Sequence, residues 1–387
     1  MSQDKPSTDK NKLQASHIVL LGISIFSLFL YVIFIFNLNN ISNWWLYGIL
    51  IFTEIYIILQ TLGIWWTTFY STENPRDHYY YDLRKKIIAD GEVEGGVDVF
   101  VTSYGEDLAT IYKTLKAARD MYIKHNTYAL DDGKNDNVKQ IAETLGVTYV
   151  ARPDNKNAKA GNLNHALQEV ASGRYFCMFD ADFVPKKHFL VETLPFFHDE
   201  KLAFVQTPQV LKNRNNVFAA GSSDAQKVFY DLVGAGKNRF NSMFWVGTNA
   251  IFRRAPIDEL GGIVNHNSED IFTAYRLHQK GYKSIYIPDT LAIGVAPDNL
   301  GAYMQQQLRW AGGGFDIFFN DNPLFTKLSA DQKIQYFLTS IFYFSGFVIL
   351  AAMLLPLVYI YFGIKPIDSD PLQWLISYVP FFLFQFI

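Results

Sequence analysis

The stretch "VDVFVTSYGEDLATIYKTLKAARDMYIKH", Val97 to His125, decides the fold. It opens as "VDVFVTSY", a short apolar run rich in β-branched residues that reads as a strand, and from Glu106 its apolar positions recur at helical spacing. The same switch repeats downstream. "TYAL" (Thr127–Leu130) is a strand, "DNVKQIAETLG" a helix from Asp136, "VTYVAR" a strand from Val147, "AGNLNHALQEVAS" a helix from Ala160 and "RYFCMF" a strand from Arg174. Strands alternating with helices of this length predict an α/β domain with parallel strands and crossover helices, placed here at residues 75–299.

In open sheets of this kind ligands bind beyond the carboxyl ends of the strands, and acidic residues gather there in three places. Asp131 and Asp132 precede Gly133, Asp180 and Asp182 form "DAD", and Glu269 and Asp270 open the helix "IFTAYRLHQKG". Three stations on one sheet edge exceed what solvation alone calls for. Asp180 and Asp182 can face one ligand, and Mg²⁺ or Mn²⁺ takes one or two carboxylates plus phosphate oxygens, so the pair suits a metal-bound nucleoside diphosphate; a turn with two capping aspartates is the alternative. Lys159 and Arg152 stand where they could offset phosphate charge, with Gly161 and the next helix N-terminus bringing backbone donors close; a solvated loop is the alternative for Arg152. Asp270 falls in a first helical turn that Ser268 can cap. The helix dipole is expected to keep it ionised as a modest base, against the alternative of a capping acid without chemical role. Neither GxxxxGK[ST] nor GxGxxG occurs, which removes support for P-loop and dinucleotide sites.

Apolar runs flank this domain. "HIVLLGISIFSLFLYVIFIF" (His17–Phe36) has no charge, and Trp44–Trp66 has only Glu54; each has the length that crosses a bilayer core of roughly 30 Å. Trp44, Trp45, Trp65 and Trp66 sit at the ends of the second run, at headgroup level. Further runs cover Tyr336–Phe362 and begin again near Trp374, so the chain is expected to stop inside a membrane segment. A signal peptide is the competing reading of the first run, with Lys5, Lys10 and Lys12 before it, but no small-residue cleavage site follows. Two spans would leave the charge-free "NLNNISN" link (Asn37–Asn43) outside and put the tail (residues 1–16) and central domain in the cytoplasm. Glu54 is either a functional intramembrane carboxylate or packed on a neighbouring helix. The single cysteine, Cys177, excludes an internal disulfide and reads as a small buried hydrophobe. A net charge of −3 without a basic block argues against nucleic acid as a partner.

The ordered set "DDG", "KAGNLNHAL", "DAD", "QTPQ", "GTNAIFRR", "SEDIFTAYRLHQKGY" and "QQLRW", from about Asp98 to Gly314, resembles the processive family 2 glycosyltransferases of the cellulose synthase-like branch. The resemblance implies a Rossmann-like GT-A domain, with a mostly parallel sheet, inserted between transmembrane helices in the cell membrane. It would transfer sugar from a UDP-sugar with inversion and pass the polymer through its own channel. Partners implied are the donor, the growing polysaccharide, the lipid bilayer and accessory export subunits. Carried onto this sequence, Thr102, Tyr104, Glu106 and Asp132 would hold the uridine, with Asp131 the near alternative. Lys159 would reach the nucleotide or diphosphate. Asp180 and Asp182 would hold nucleotide and metal, Mg²⁺ or Mn²⁺, and Asp270, beside Glu269, would be the general base. Gln306 and Arg309 would contact the diphosphate from an interface helix region at 300–330. Trp310, Gly247 and Thr248 would meet the acceptor. The segment 336–387 would hold C-terminal membrane helices.

Two departures stand out: "SYGED" replaces "TYNE" at the uridine loop, and "WVGT" (Trp245–Thr248) replaces "FCGT" at the acceptor. "KAGNLN", "QTPQ" and "LHQKGYKSIY" look more like glucan synthases, which favours UDP-glucose and a β-glucan product. The alternatives are a UDP-N-acetylglucosamine-using synthase of chitin, hyaluronan or poly-GlcNAc type, and a non-processive membrane glycosyltransferase.

Overall fold

The computed structural model describes residues 15–71 and 73–384, in two compact units. One is Glu73–Ser340; the other is formed by the described parts of residues 1–72 and 341–387. The expected tail with Lys5, Lys10 and Lys12 lies outside the described residues, as do the last three residues of the terminal apolar run.

The larger unit is built on a seven-stranded sheet. Its strands are β1 (Val97–Ser103), β2 (Asn126–Asp131), β3 (Thr148–Val150), β4 (Tyr175–Asp180), β6 (Leu202–Gln206), β8 (Ala250–Arg253) and β9 (Lys283–Tyr286), in the order β3-β2-β1-β4-β8-β6-β9. A small sheet joins β5 (Val184–Pro185), β10 (Ala292–Gly294) and β7 (Val210–Leu211). The pairs β1–β2, β1–β4, β2–β3 and β6–β9 are parallel, as the alternation of strand and helix predicts. β8 departs from the expectation of parallel strands, running antiparallel to both β4 and β6. Its four residues, buried on both faces, form an apolar run that reads the same in either direction.

Every residue of β1 is buried, because both faces of the sheet are covered. Val97, Val99 and Val101 pack towards Ile111, Leu115 and Ala118 of the helix Leu108–Arg119 and Val138 and Ala142 of the helix Asp136–Leu145. Phe100, on the opposite face, joins Leu163 and Ala166 of the helix Ala158–Glu169 and Ala274 and Leu277 of the helix Glu269–Gln279. Cys177 belongs to the first layer, fully buried as read. The first helix begins where Asp107 accepts the Thr110 amide (3.1 Å). It ends at Arg119, short of the apolar pattern, because Met121 and Ile123 tuck into the core and the amides of Tyr122 and Lys124 bond to the carbonyls of Lys187 and Gly91.

In the smaller unit the helix Ala15–Ile35 packs on Pro371–Phe384, with Tyr31 stacked on Phe381 (4.8 Å between centroids), and Trp44–Thr68 packs on Ser345–Phe362. Glu54 is buried and hydrogen-bonded to Tyr31, so it is a packed carboxylate tied to the neighbouring helix. Among the described residues, three helices are long and apolar enough to cross a membrane, Ile18–Ile35, Trp44–Thr68 and Ala330–Phe362, while Pro371–Phe384 is apolar but shorter.

Candidate active site

The C-terminal edge of β1 and β4 is where the predicted residues meet. Thr102, near the end of β1, donates its hydroxyl to Asp180 Oδ1 (3.1 Å) at the end of β4. The same oxygen accepts from Lys159 Nζ, which rises from the first turn of the helix Ala158–Glu169 and also donates to the Gly247 carbonyl (2.7 Å). The antiparallel sense of β8 places the turn preceding it at this edge: the Asp180 amide donates to Thr248 Oγ1 (3.0 Å). Gly247, at φ +88°, lies against Asp270, since a Cβ built on it would be 3.2 Å from Asp270 Oδ2 and 3.9 Å from Lys159 Nζ. One lysine thus links a carboxylate from the donor-like strands to the turn beside the candidate base.

The charges here are strongly coupled. Burial works against the Lys159 ammonium, but Asp180, Glu269 and Asp270 outweigh it and hold its pKa above the usual lysine value. Burial, then Asp180, pushes Asp182 up to about 7. Glu269 and Asp270 are both raised, by burial first; the Asp270 charge adds to the shift of Glu269. For Asp270 the Ile271 amide, Lys159 and Arg309 pull in the opposite direction. Removal from water thus raises Asp270 above the usual aspartate value, while the backbone amide at the helix start and the two cations favour its ionised form. Ser268 does not cap. Its hydroxyl donates instead to the Arg309 carbonyl (3.2 Å) on the helix Leu300–Asn320.

Other predicted residues are placed differently. Asp131 accepts from the amides of Gly133 (2.9 Å) and Asn135 (2.8 Å) and from Ser103 and Tyr149, so both its oxygens are engaged within the fold. Asp132 is buried in a two-pronged ion pair with Arg152, both contacts 2.7 Å. Arg152 also donates to the carbonyls of Lys156 and Ala158. It is neither a phosphate ligand nor part of a solvated loop; it is the internal clamp of the segment leading into Lys159. Gly161 makes room for that clamp rather than for a phosphate, since a Cβ there would lie 2.4 Å from Arg152 Nη1. Tyr104 is exposed, with its amide donating to Glu106 Oε2 (2.6 Å), and the Glu106 charge reaches Asp182. On the helix Leu300–Asn320, Arg309 is exposed, Trp310 half-buried, and Gln306 Oε1 is buried without a hydrogen-bond partner.

Gln206 was not singled out by sequence as a site residue. Fully buried at the end of β6, it donates to the Thr248 carbonyl (2.9 Å) and accepts the Val246 amide (3.1 Å), while Gln209 donates to the Val246 carbonyl (2.8 Å). "QTPQ" is thus the frame of the Gly247–Thr248 turn. The signal was present: two amides flanking Thr-Pro at a strand end suit a turn with several backbone groups to satisfy.

A divalent cation suits this donor set. Among the described residues there is no cluster of three or more His, Cys, Asp or Glu that would cage a metal alone. Two half-buried carboxylates, Asp180 and Asp182, are what Mg²⁺ or Mn²⁺ uses when a ligand's phosphates complete its shell.

The family model described as Glycosyl transferase family group 2 matches residues 175–387. The chain belongs to that family. Within it, the chain is 37% identical over 295 residues to the cellulose synthase catalytic subunit (UDP-forming) of Pseudomonas fluorescens, covering 73% of this chain and 40% of that protein. It is 31% identical over 341 residues to cellulose synthase 1 catalytic subunit (UDP-forming) of Komagataeibacter xylinus, covering 85% of this chain and 45% of that one. The chain therefore spans less than half the length of these relatives. Among solved structures, a mannosyltransferase from Pyrobaculum calidifontis in complex with GDP-Man and Mn²⁺ aligns at TM-score 0.51 and 20% identity, covering 85% of this chain and 98% of that one. That likeness confirms the fold of a GT-A glycosyltransferase. The family assignment bears out the resemblance carried by the ordered motifs.

Proposed function

We propose that this family 2 chain is the catalytic part of an inverting, processive membrane glycosyltransferase that moves glucose from UDP-glucose onto a growing β-glucan. The observation that carries the reading is the Lys159 bridge, which ties Asp180 to the Gly247 carbonyl within range of the charges of Glu269 and Asp270. The similarity to UDP-forming cellulose synthase subunits supports the donor and product class.

In this reading an acceptor hydroxyl lies against the Gly247–Thr248 turn, and Asp270 takes its proton as the oxygen attacks the anomeric carbon opposite UDP. One displacement inverts the centre, so no carboxylate nucleophile is needed. Lys159 and Arg309 counter the charge that develops on the departing diphosphate. Asp180 and Asp182 would hold Mg²⁺ or Mn²⁺, which when bound neutralises diphosphate charge. Gln306, with its unpaired buried oxygen, offers an acceptor to a donor or sugar hydroxyl. Thr102, Tyr104 and Glu106 are assigned to the uridine side, and Trp310 to the acceptor as a stacking surface. The polymer would leave through a channel that includes the apolar helices, with accessory export subunits receiving it.

Incubating membranes carrying the full chain with single UDP-sugars and Mg²⁺ or Mn²⁺, then digesting the product with linkage-specific glucanases, tests this. A glucanase-sensitive polymer from UDP-glucose is expected. Preference for UDP-N-acetylglucosamine would overturn the donor, and products one sugar long would overturn processivity.

A further inference from the structure

His266 lies four residues before the candidate base and belongs to none of the motifs above. Its Nδ1 accepts the Ser268 amide (3.0 Å) and its Nε2 donates to Asp316 Oδ2 (2.6 Å), on the helix that also carries Gln306 and Arg309. Asn320 donates to the other Asp316 oxygen, and the imidazole lies against Phe272 at 4.0 Å between centroids. The two contacts of the ring are compatible with one neutral tautomer, protonated at Nε2 and bare at Nδ1.

The turn and the helix are pressed together where this bridge sits. A Cβ on Gly313 would come within 2.5 Å of Ser268 Oγ, so only glycine permits the approach. Ser268 is buried and its hydroxyl is spent on the Arg309 carbonyl, which leaves the first turn of the helix Glu269–Gln279 without a side-chain cap. The orientation of the segment entering Glu269 and Asp270 then depends on the Ser268 amide, and that amide is held by His266 alone among the bonds described.

We infer that His266 and Asp316 form a positioning bridge that fixes the candidate base, Asp270, relative to the helix bearing Gln306 and Arg309. The inference rests on the assignment of Asp270 above. Both residues act through the turn and are assigned no contact with a substrate. Displacing a reacting group by about 1 Å costs on the order of a hundredfold in rate, so a bridge of this kind acts on turnover rather than on donor binding.

The test compares full-length wild type, His266→Ala, Asp316→Ala and the double variant in membranes, reading UDP release from UDP-glucose and, separately, UDP affinity. Each single variant is expected to lower kcat by about tenfold or more, with KM for UDP-glucose and UDP affinity within threefold of wild type. The double variant should be no slower than the slower single one, because both break the same link. His266→Asn gives an independent arm should His266→Ala fail to fold. Asparagine can still accept the amide two residues on but cannot reach Asp316, so it should fold, bind UDP and remain slow. Normal turnover by His266→Asn, single variants within twofold of wild type, or losses that multiply in the double variant would each overturn the bridge. Asp270→Asn run alongside separates the two levels. If it transfers normally, the base assignment fails and the bridge with it; if it is inactive while His266→Ala is not, the bridge alone fails.

Discussion

At the scale of single residues, the opposed charges around Asp270 make its protonation the quantity to measure. A base must be ionised to act, and burial raises the Asp270 pKa, so kcat should fall with decreasing pH from above the ordinary aspartate range of about 3.9. Arg309 favours the ionised form, so Arg309→Gln should move that acid limb to higher pH; a limb that stays in place would show that the guanidinium does not reach the base. Asp270→Asn should cut transfer by roughly 10²–10⁴-fold while leaving UDP binding in place, as titration of UDP into the variant would register. Asp182 yields a second pH dependence. Its pKa of about 7 means protons compete with the cation, so Mn²⁺ affinity in the presence of UDP should weaken as pH falls through about 7; affinity flat between pH 6 and 8 would remove Asp182 from the metal site.

At the scale of elements, the segment between β3 and the helix Ala158–Glu169 is held by one buried ion pair. Arg152→Met leaves Asp132 buried without its partner, which costs about 3–5 kcal/mol and should loosen the turn that delivers Lys159. Chemical denaturation checks the first, and hydrogen exchange over residues 153–160 the second. Replacing Arg214, whose pair with Asp224 is solvent-exposed, should leave stability unchanged. The same segment marks the limit of what the sequence discloses. Strand and helix periods depend on local spacing, and so β1, β2 and β4 were legible to within a residue or two, whereas the helix after β1 stops at Arg119, well short of the pattern that runs to His125. The Asp132–Arg152 pair spans twenty residues and the Ser268–Arg309 bond forty-one, and nothing local distinguishes a buried arginine from a solvated one. Asp180, Lys159, Gly247, Thr248 and Asp270 were legible as a set because their motifs recur in a known order, whereas Gln206 serves the backbone of a turn forty residues on and His266 pairs with Asp316 fifty residues on, separations that local spacing does not disclose.

At the scale of the whole molecule, the proposed topology can be tested on a nearly native background, because Cys177 is fully buried and should not react with a membrane-impermeant maleimide while the chain is folded. Ser42→Cys, in the exposed link between the first two apolar helices, should label on intact cells; Lys139→Cys, on the exposed face of the helix Asp136–Leu145, should label only after permeabilisation. The reverse pattern would place the catalytic unit outside. The backward run of β8 carries a consequence of its own. Parallel strands deliver Asp180 as the chain leaves the sheet, whereas β8 delivers Gly247 and Thr248 as the chain enters it, so these two sides of the candidate site come from consecutive stretches of polypeptide. Exchanging residues 206–253, which frame the Gly247–Thr248 turn, between relatives should then shift acceptor preference as one inherited cassette, leaving the donor-side residues, Arg309 included, with the host.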